Sequence, residues 1–160
     1  METDKVLREH LLELLRGKFA HIELEMVLHE FPVAEINTRL ENAPHTAWEL
    51  LEHLRIAQHD IVEFSHNAEH ISPDFPGGYW NKKEATADDW SNSTAQVLKD
   101  LQTMRHLVND EENDLFAELP HGSGQTLLRE ALLVADHNAY HLGQIAFLMR
   151  ILEAKQNAQS

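Results

Sequence analysis

The chain of 160 residues contains no cysteine. Disulfide bonds, thiolate metal ligands and a cysteine nucleophile are therefore all excluded. The nitrogen ligands that remain for a first-row transition metal are the histidine imidazoles.

Basic residues are also scarce. Thirteen lysines and arginines stand against 27 acidic residues, which gives a net charge of −14 with histidine neutral. A surface of that sign repels phosphate backbones and anionic membranes. The composition predicts a protein that binds neither nucleic acid nor a membrane.

Long apolar runs are missing as well, because no segment approaches the ~18 uninterrupted apolar residues of a membrane-spanning helix. The first residues, METDKVLREHLLELL, lack the basic start, apolar middle and small-residue cleavage site of a signal peptide. With 42% hydrophobic and 25% charged residues, the composition is typical of a folded globular protein. We expect one cytoplasmic domain over residues 1–160.

Glycine and proline, six and five in number, concentrate between four long stretches with helical periodicity. Gly17 is a weak point within the first stretch, and the spacing of Thr46 and Glu49 is typical of a capping box at the start of the second. The third should face the core with Trp90, Val97, Leu101, Met104 and Val108. The four predicted helices span roughly residues 6–31, 46–70, 86–109 and 125–155. This pattern predicts an all-α four-helix bundle.

Histidine is the unusually frequent residue, with twelve in the chain. The fourth predicted helix is apolar around almost its whole circumference, which predicts that it is the most buried helix. One polar stripe interrupts it, because Glu130, His137, His141 and Gln144 fall within about 60° of one another on a helical wheel. Unpartnered buried polar groups cost roughly 1 to 3 kcal/mol each. The stripe therefore requires partners, which can be its own members, another helix, water or a metal.

His137 and His141 lie one helical turn apart, the spacing with which two imidazoles bind one ion. Catalytic metal sites commonly have three protein ligands and an open position for water or substrate. His53, at the edge of the apolar face of the second helix, is the best third candidate. The alternative is a hydrogen-bonded group of core histidines without metal.

Two segments closely resemble the DinB-like, or YfiT-like, metal-binding bundle family. They are WELLEHLRIAQ at residues 48–58 and DHNAYHLGQI at residues 136–145. Two further segments look like the loops before that family's third and fourth helices, PDFPGGYW at residues 73–80 and PHGSGQTLLRE at residues 120–130. The resemblance covers nearly the whole chain.

The resemblance implies a four-helix bundle of up-up-down-down topology, often assembled as a homodimer. In the family, three histidines bind one divalent ion, one from the second helix and two from an HxxxHxGQ motif on the fourth. Residue by residue, these positions fall on His53, His137 and His141. The expected ion is zinc or nickel.

Characterised relatives include metal-dependent transferases that join a low-molecular-weight thiol, such as bacillithiol or mycothiol, to an electrophile. The resemblance therefore implies a thiol-dependent S-transferase that acts in detoxification or stress response. An open coordination position can bind a thiol and lower its pKa, and metal-dependent hydrolysis is the other enzymatic option. The alternative is a non-catalytic metal-containing module that binds or senses a small molecule.

Two residues of the polar stripe are candidates for supporting roles. Gln144 can hydrogen-bond a metal-bound water or an imidazole, and Glu130 can orient His137. Both can equally be core polar residues that satisfy each other. The sequence leaves these alternatives open.

Asp60 and His21 are further candidates outside the stripe. Asp60 lies seven residues after His53 and could accept its other ring proton, although a solvated carboxylate is the simpler expectation. His21 could approach the site as a ligand or a base, but its spacing does not distinguish it from His10 or His29.

The remaining side chains of interest are expected to have ordinary structural roles. Tyr140 faces away from the polar stripe, and the three tryptophans should pack in the core or against loops. A solvated face of the second helix is predicted to carry His59, His66, His70, Glu52, Arg55 and Glu63.

Overall fold

The computed structural model describes residues 2–17 and 20–159. Its five α-helices are α1 (Glu2–Arg16), α2 (Leu24–Glu30), α3 (Ala47–His66), α4 (Ala87–Asn109) and α5 (Leu127–Gln159). The described residues form no β-strand beyond one isolated bridge between Glu118 and Thr126. The predicted all-α class is confirmed. None of these helices combines the length and the hydropathy needed to cross a lipid bilayer.

The first predicted helix is in fact two helices, so the prediction of one continuous element was wrong. α1 ends at Arg16, and Gly17 follows with a φ of 64°, a left-handed conformation that glycine adopts without strain. A Cβ atom at residue 17 would also lie 2.9 Å from Cε1 of His21. The helical path resumes at Leu24. The weak point expected at Gly17 is therefore where the first stretch divides.

α3 begins as predicted but ends earlier. Thr46 accepts a hydrogen bond from the backbone N–H of Glu49 at 3.1 Å, and the Glu49 carboxylate accepts one from the backbone N–H of Thr46 at 3.0 Å. This confirms the capping box. The helix stops at His66 because Asn67 uses its side chain to accept from the backbone N–H of Glu69 at 3.0 Å. Local bonds of this kind compete with the helical hydrogen-bond ladder.

The core faces of the helices follow the sequence pattern closely in α4 and less closely in α5. In α4, Leu101 is half-buried and four other apolar residues of the predicted face are buried, namely Trp90, Val97, Met104 and Val108. α5 packs against each of the other four helices. Three of its large apolar side chains are nonetheless exposed: Leu132, Tyr140 and Phe147. The prediction that α5 is buried almost all round was wrong for this side.

A buried polar bridge joins α3, α4 and α5. Gln58 donates from Nε2 to the backbone carbonyl of Val97 at 2.6 Å, and its Oε1 accepts from Nδ2 of Asn138 at 2.6 Å. Both amide side chains are buried. Because each bond requires a definite position of its partner, the bridge sets the register of α5 against α3 immediately beside His137.

A buried arginine holds the end of α4. The guanidinium of Arg8, in α1, donates to the backbone carbonyls of Val108 at 2.6 Å, Asp110 at 2.9 Å and Asn113 at 2.6 Å. Carbonyls at the C-terminal end of a helix lack intrahelical partners, and the helix dipole favours a cation there. Arg8 therefore fixes α1 to α4 through charge-assisted hydrogen bonds.

The Arg8 contacts generate a stability prediction. Arg8→Met keeps the apolar stem but removes the guanidinium, so three buried or half-buried carbonyls lose their donor. We expect a loss of about 2 to 4 kcal/mol in the free energy of unfolding, measured by urea denaturation. The matched substitution of exposed Arg150, Arg150→Met, should change it by less than about 0.5 kcal/mol. Equal midpoints for the two variants would contradict this role of Arg8.

Candidate metal centre

Three histidines from two helices converge where α3 packs against α5. His53 lies in α3, and His137 and His141 lie one turn apart in α5. One ring nitrogen of each lies within 4.8 Å of a ring nitrogen of the others. Nε2 of His53 and Nε2 of His137 are 3.2 Å apart. The structure thus brings together the three residues that the sequence nominated as ligands.

The spacing of these nitrogens suits one small ion. Imidazole nitrogens bind zinc at about 2.0 to 2.1 Å, so two of them in tetrahedral positions are separated by about 3.3 Å. The 3.2 Å between the Nε2 atoms of His53 and His137 is close to that separation. No carboxylate of the described residues joins the group. The donor set is therefore three nitrogens, which leaves further coordination positions for other ligands.

The ring of His53 is oriented by the segment that follows α3. Its Nδ1 lies 3.0 Å from the backbone carbonyl of Tyr79. A carbonyl only accepts, so Nδ1 carries the proton and Nε2 keeps its lone pair towards His137 and His141. The indole of Trp80 stacks on the ring of His53 at 4.1 Å with an interplanar angle of 7°. Both neighbours hold His53 in the orientation that a ligand requires.

Asp60 acts on Tyr79 and does not contact His53 directly. Its Oδ2 accepts from the Tyr79 hydroxyl at 2.6 Å, and its Oδ1 lies 2.8 Å from Nε2 of His70. Burial alone would raise the pKa of Asp60, but hydrogen bonds from Tyr79, Ser72 and His70 lower it overall. The carboxylate is thus a half-buried acceptor, contrary to the solvated role expected for it. It anchors the residue whose carbonyl orients His53.

The face of α3 predicted to be solvated is partly buried. His70 bonds to Asp60, and Nδ1 of His59 lies 3.0 Å from Oδ2 of Asp100. Glu52 is buried, and it accepts from Ser93 at 2.7 Å. The prediction was wrong for these side chains because α4 and the segment after α3 cover part of that face. His66 is exposed, as expected.

The other two site histidines carry unpartnered nitrogens. Nδ1 of His137 and Nδ1 of His141 are buried and have no hydrogen-bond partner in the structure. Buried polar atoms are nearly always paired in folded proteins, so two orphaned nitrogens in one cluster are unusual. Nε2 of His137 is the nitrogen that faces His53, so an ion bound there would leave Nδ1 of His137 unpaired. The cluster is therefore not a self-sufficient hydrogen-bond network, and its orphaned atoms are a cost that a purely stabilising role does not explain.

Burial keeps these imidazoles neutral. It is the main cause that lowers the pKa of His137 to about 4, and His53 lowers it further. Burial, followed by the neighbouring histidines His137, His53 and His45, lowers the pKa of His141 to about 3. The pKa of His53 is also lowered by burial, despite a backbone hydrogen bond that raises it. Neutral imidazole is the form that binds a metal, so all three rings are ready ligands at pH 7.

The other site candidates from the sequence, Gln144, Glu130 and His21, have different surroundings in the structure. Gln144 lines a cavity that also contains His53 and His141. Glu130 is buried and pairs with Arg129, so it is a core carboxylate with its own partner. His21 is exposed, and its Nδ1 lies 2.9 Å from the carbonyl of its neighbour Ile22. The structure therefore keeps Gln144 beside the site and gives Glu130 and His21 other surroundings.

The cavity beside the histidines has a volume of about 700 Å³. Trp80 and Tyr140, which the sequence assigned to packing or to an outward face, both line it, and the Tyr140 ring contacts the His141 ring edge-on at 4.9 Å. His45, which sequence reasoning missed, stacks on Trp80 at 4.1 Å. Its one signal was proximity to the capping residue Thr46, which alone indicates no function.

The lowered pKa values predict how the stability of the metal-free protein depends on pH. The pKa of His141 is about 3 in the folded protein and about 6.5 in the unfolded chain, so the unfolded chain binds more protons between these values. Stability therefore falls as pH decreases from about 6.5, and His141 alone accounts for about 2 kcal/mol between pH 7 and pH 5. Urea denaturation of chelator-treated protein at pH 7, 6 and 5 measures this loss.

His141→Ala should reduce that pH dependence by roughly half, because His137, with a pKa of about 4, contributes a similar loss. His10→Ala, at an exposed position of α1, serves as the control and should keep the full loss. The range from pH 7 to 5 lies above the lowered pKa values of Asp60 and Glu52, so these carboxylates contribute little to the slope. Identical slopes in both variants would contradict the neutral state assigned to His141.

The contact between Asp60 and Tyr79 generates a second prediction. Tyr79→Phe removes the hydroxyl that bonds to Asp60 but keeps the backbone carbonyl that orients His53. We expect Zn²⁺ to bind up to about tenfold more weakly, since partners outside the ligand set tune metal affinity by about 10 to 100-fold. Competition with a chromophoric chelator measures the affinity. Tyr140→Phe, at a tyrosine whose hydroxyl makes no such bond, should bind Zn²⁺ like the parent, and equal affinities in all three proteins would contradict the role of Asp60.

Comparison with known proteins places the chain in a family. A family model of the DinB superfamily matches residues 18–145, a segment that contains all three site histidines. No curated protein and no solved structure matches the chain significantly. The matched segment covers most of the chain and includes α3 and the part of α5 that meet at the histidine cluster. The chain therefore belongs to the DinB superfamily.

Proposed function

We propose that this protein is an enzyme that binds one divalent metal ion through His53, His137 and His141 and transfers a thiol to an electrophile. The observation that carries the proposal is the convergence of three imidazoles, two of which, His53 and His141, line a large cavity. A small-molecule site of about 300 to 1,000 Å³ next to perturbed titratable groups is the usual arrangement of an active site. Family membership supports the metal-binding role of the histidines.

The residues of the chain have distinct parts in this proposal. Bound at the three nitrogens, a divalent ion supplies Lewis acidity and lowers the pKa of a thiol that reaches its open position. His53 is held in the ligand orientation by the Tyr79 carbonyl and by Trp80. Gln144 supplies a polar group in the cavity that can orient a substrate by hydrogen bonds.

One observation favours a second candidate, a non-catalytic module that binds or senses a small molecule. The cavity contains a single carboxylate, Glu41, and that residue is exposed at its rim. Among the described residues, no buried carboxylate therefore lines the cavity to act as a general base beside the histidines. Metal-dependent hydrolysis, which commonly uses such a base, is supported least.

Several finer features belong to the same proposal. We propose zinc or nickel as the ion, because both accept imidazole ligands. The up-up-down-down topology, the homodimer and the cytoplasmic location rest on the family resemblance and the composition, and they stay predictions. The small-molecule substrate, a low-molecular-weight thiol in this reading, is a prediction of the same kind.

Elemental analysis of protein purified without chelator tests the site. We expect about one Zn or Ni ion per chain in the parent and strong loss in His53→Ala and His137→Ala, because two remaining ligands form an incomplete coordination sphere. His66→Ala, at the exposed end of α3, should keep its metal. A parent that takes up neither Zn nor Ni on reconstitution contradicts the site.

The reaction is tested on the same proteins with a simple thiol and 1-chloro-2,4-dinitrobenzene as the electrophile. Formation of the aryl thioether with release of chloride should require metal and should be lost in His137→Ala. Stoichiometric metal without turnover of any thiol and electrophile would favour the binding or sensor module.

A further inference from the structure

The cavity beside the histidine cluster has a distinctive chemical lining. Most of the residues around it are apolar or aromatic: Leu40, Ala43, Pro44, Leu50, Trp80, Tyr140, Phe147, Leu148 and Ile151. Tyr140 and Phe147 are 67% and 64% exposed, so two large rings stand at its mouth. Exposed aromatic side chains around a cavity usually mark a place where another apolar surface binds.

The side chains that line the cavity include a carboxylate but no lysine or arginine among the described residues. Glu41 is the one carboxylate that the described residues contribute to this lining. His53 and His141 are metal ligands in the proposed function, so their ring nitrogens are committed to the ion. The remaining polar members are Asn42, His45 and Gln144. A carboxylate or phosphate on a ligand would therefore enter without an ionic partner.

The cations nearest in sequence are committed elsewhere. Arg39 precedes the lining segment 40–45, but it donates to both carboxylate oxygens of Glu49 at 2.7 and 2.8 Å and to the Pro44 carbonyl at 2.6 Å. These bonds hold the loop that forms one wall of the cavity. Lys82 and Lys83 line a separate depression that shares Trp80 with the cavity. None of the three lines the cavity.

We propose that the cavity binds an uncharged, largely apolar organic molecule and excludes molecules that carry a carboxylate. The inference rests on the proposed function in one respect, since it names the substrate class of the same site. A single thiolate can be neutralised by a divalent ion, but a second anionic group has no partner in this lining. The net charge of −14 adds a long-range repulsion of the same sign. Neutral thiols and neutral electrophiles are therefore the expected occupants.

Three benzenethiols that differ only at the para position test the proposal. The substituents are methyl, carboxamide and carboxylate, and the last two have nearly the same shape but different charge. Binding is measured by isothermal titration calorimetry with metal-free protein and with Co²⁺-loaded protein at 0.5 M NaCl, where long-range repulsion is screened. We expect the carboxylate to bind at least about tenfold more weakly than the carboxamide, and the methyl compound to bind most tightly, in both forms of the protein.

A matched pair of variants locates the effect in the cavity. Phe147→Lys places a cation at the mouth and should reduce the preference for carboxamide over carboxylate several-fold. Phe116→Lys alters a similarly exposed phenylalanine outside the lining and should leave the preference unchanged. An equal effect of the two variants would show that the discrimination comes from the overall field and would overturn the proposal.

The outcomes separate this inference from the proposed function. Failure to take up Co²⁺, with no sulfur-to-cobalt charge-transfer band, contradicts the metal site, while the ranking in metal-free protein still decides the class of occupant. Uptake of Co²⁺ together with equal or tighter binding of the carboxylate overturns the inference alone. Failure of all three compounds to bind either form overturns it as well.

Discussion

The structure depends on how the polar side chains of α5 are satisfied when that helix is buried against α3. Asn138 reaches Gln58 and, through it, a backbone carbonyl of α4, so one buried bridge fixes three helices. His137 precedes Asn138 in the sequence, and the same register turns it towards His53. An apolar residue in place of Asn138 could pack at this point, but it would not specify how far α5 slides along α3. The geometry of the histidine cluster follows from this constraint.

Much of the fold could be predicted because helical periodicity and local capping act over a few residues. The Thr46 and Glu49 capping box and the core face of α4 belong to this class. The early end of α3 is also local, but it depends on a competition between Asn67 and the helical ladder that propensity alone does not resolve. The division at Gly17 was visible as a weak point, yet periodicity continued across it. Hydrophobic periodicity in the sequence identifies helices more reliably than it identifies the residues at which they end.

Part of the candidate site could likewise be predicted from the sequence, and part could not. His137 and His141 could be paired from their spacing on one helix, and His53 was selected from its place at the edge of an apolar face together with the family resemblance. Tyr79, Trp80 and His45 could not be placed, because they lie outside the α-helices in segments whose path is set by tertiary contacts. Asp60 shows the difference most clearly. It lies two turns from His53 on the same helix, and it acts through a tyrosine 19 residues later in the chain.

The three histidines differ in their hydrogen bonding, and this difference indicates whether they are simply core residues. Only His53 has a partner for its Nδ1, while the same atom of His137 and of His141 is buried and unpaired. A cluster selected for stability would satisfy these atoms or replace them with apolar groups, since each orphaned atom costs about 1 to 3 kcal/mol. Their neutral state adds a further cost, because it makes stability fall as pH decreases below the ordinary pKa of histidine. Three neutral imidazoles that lie close together and are incompletely paired destabilise a core. The same arrangement can bind an ion at the wall of an apolar cavity.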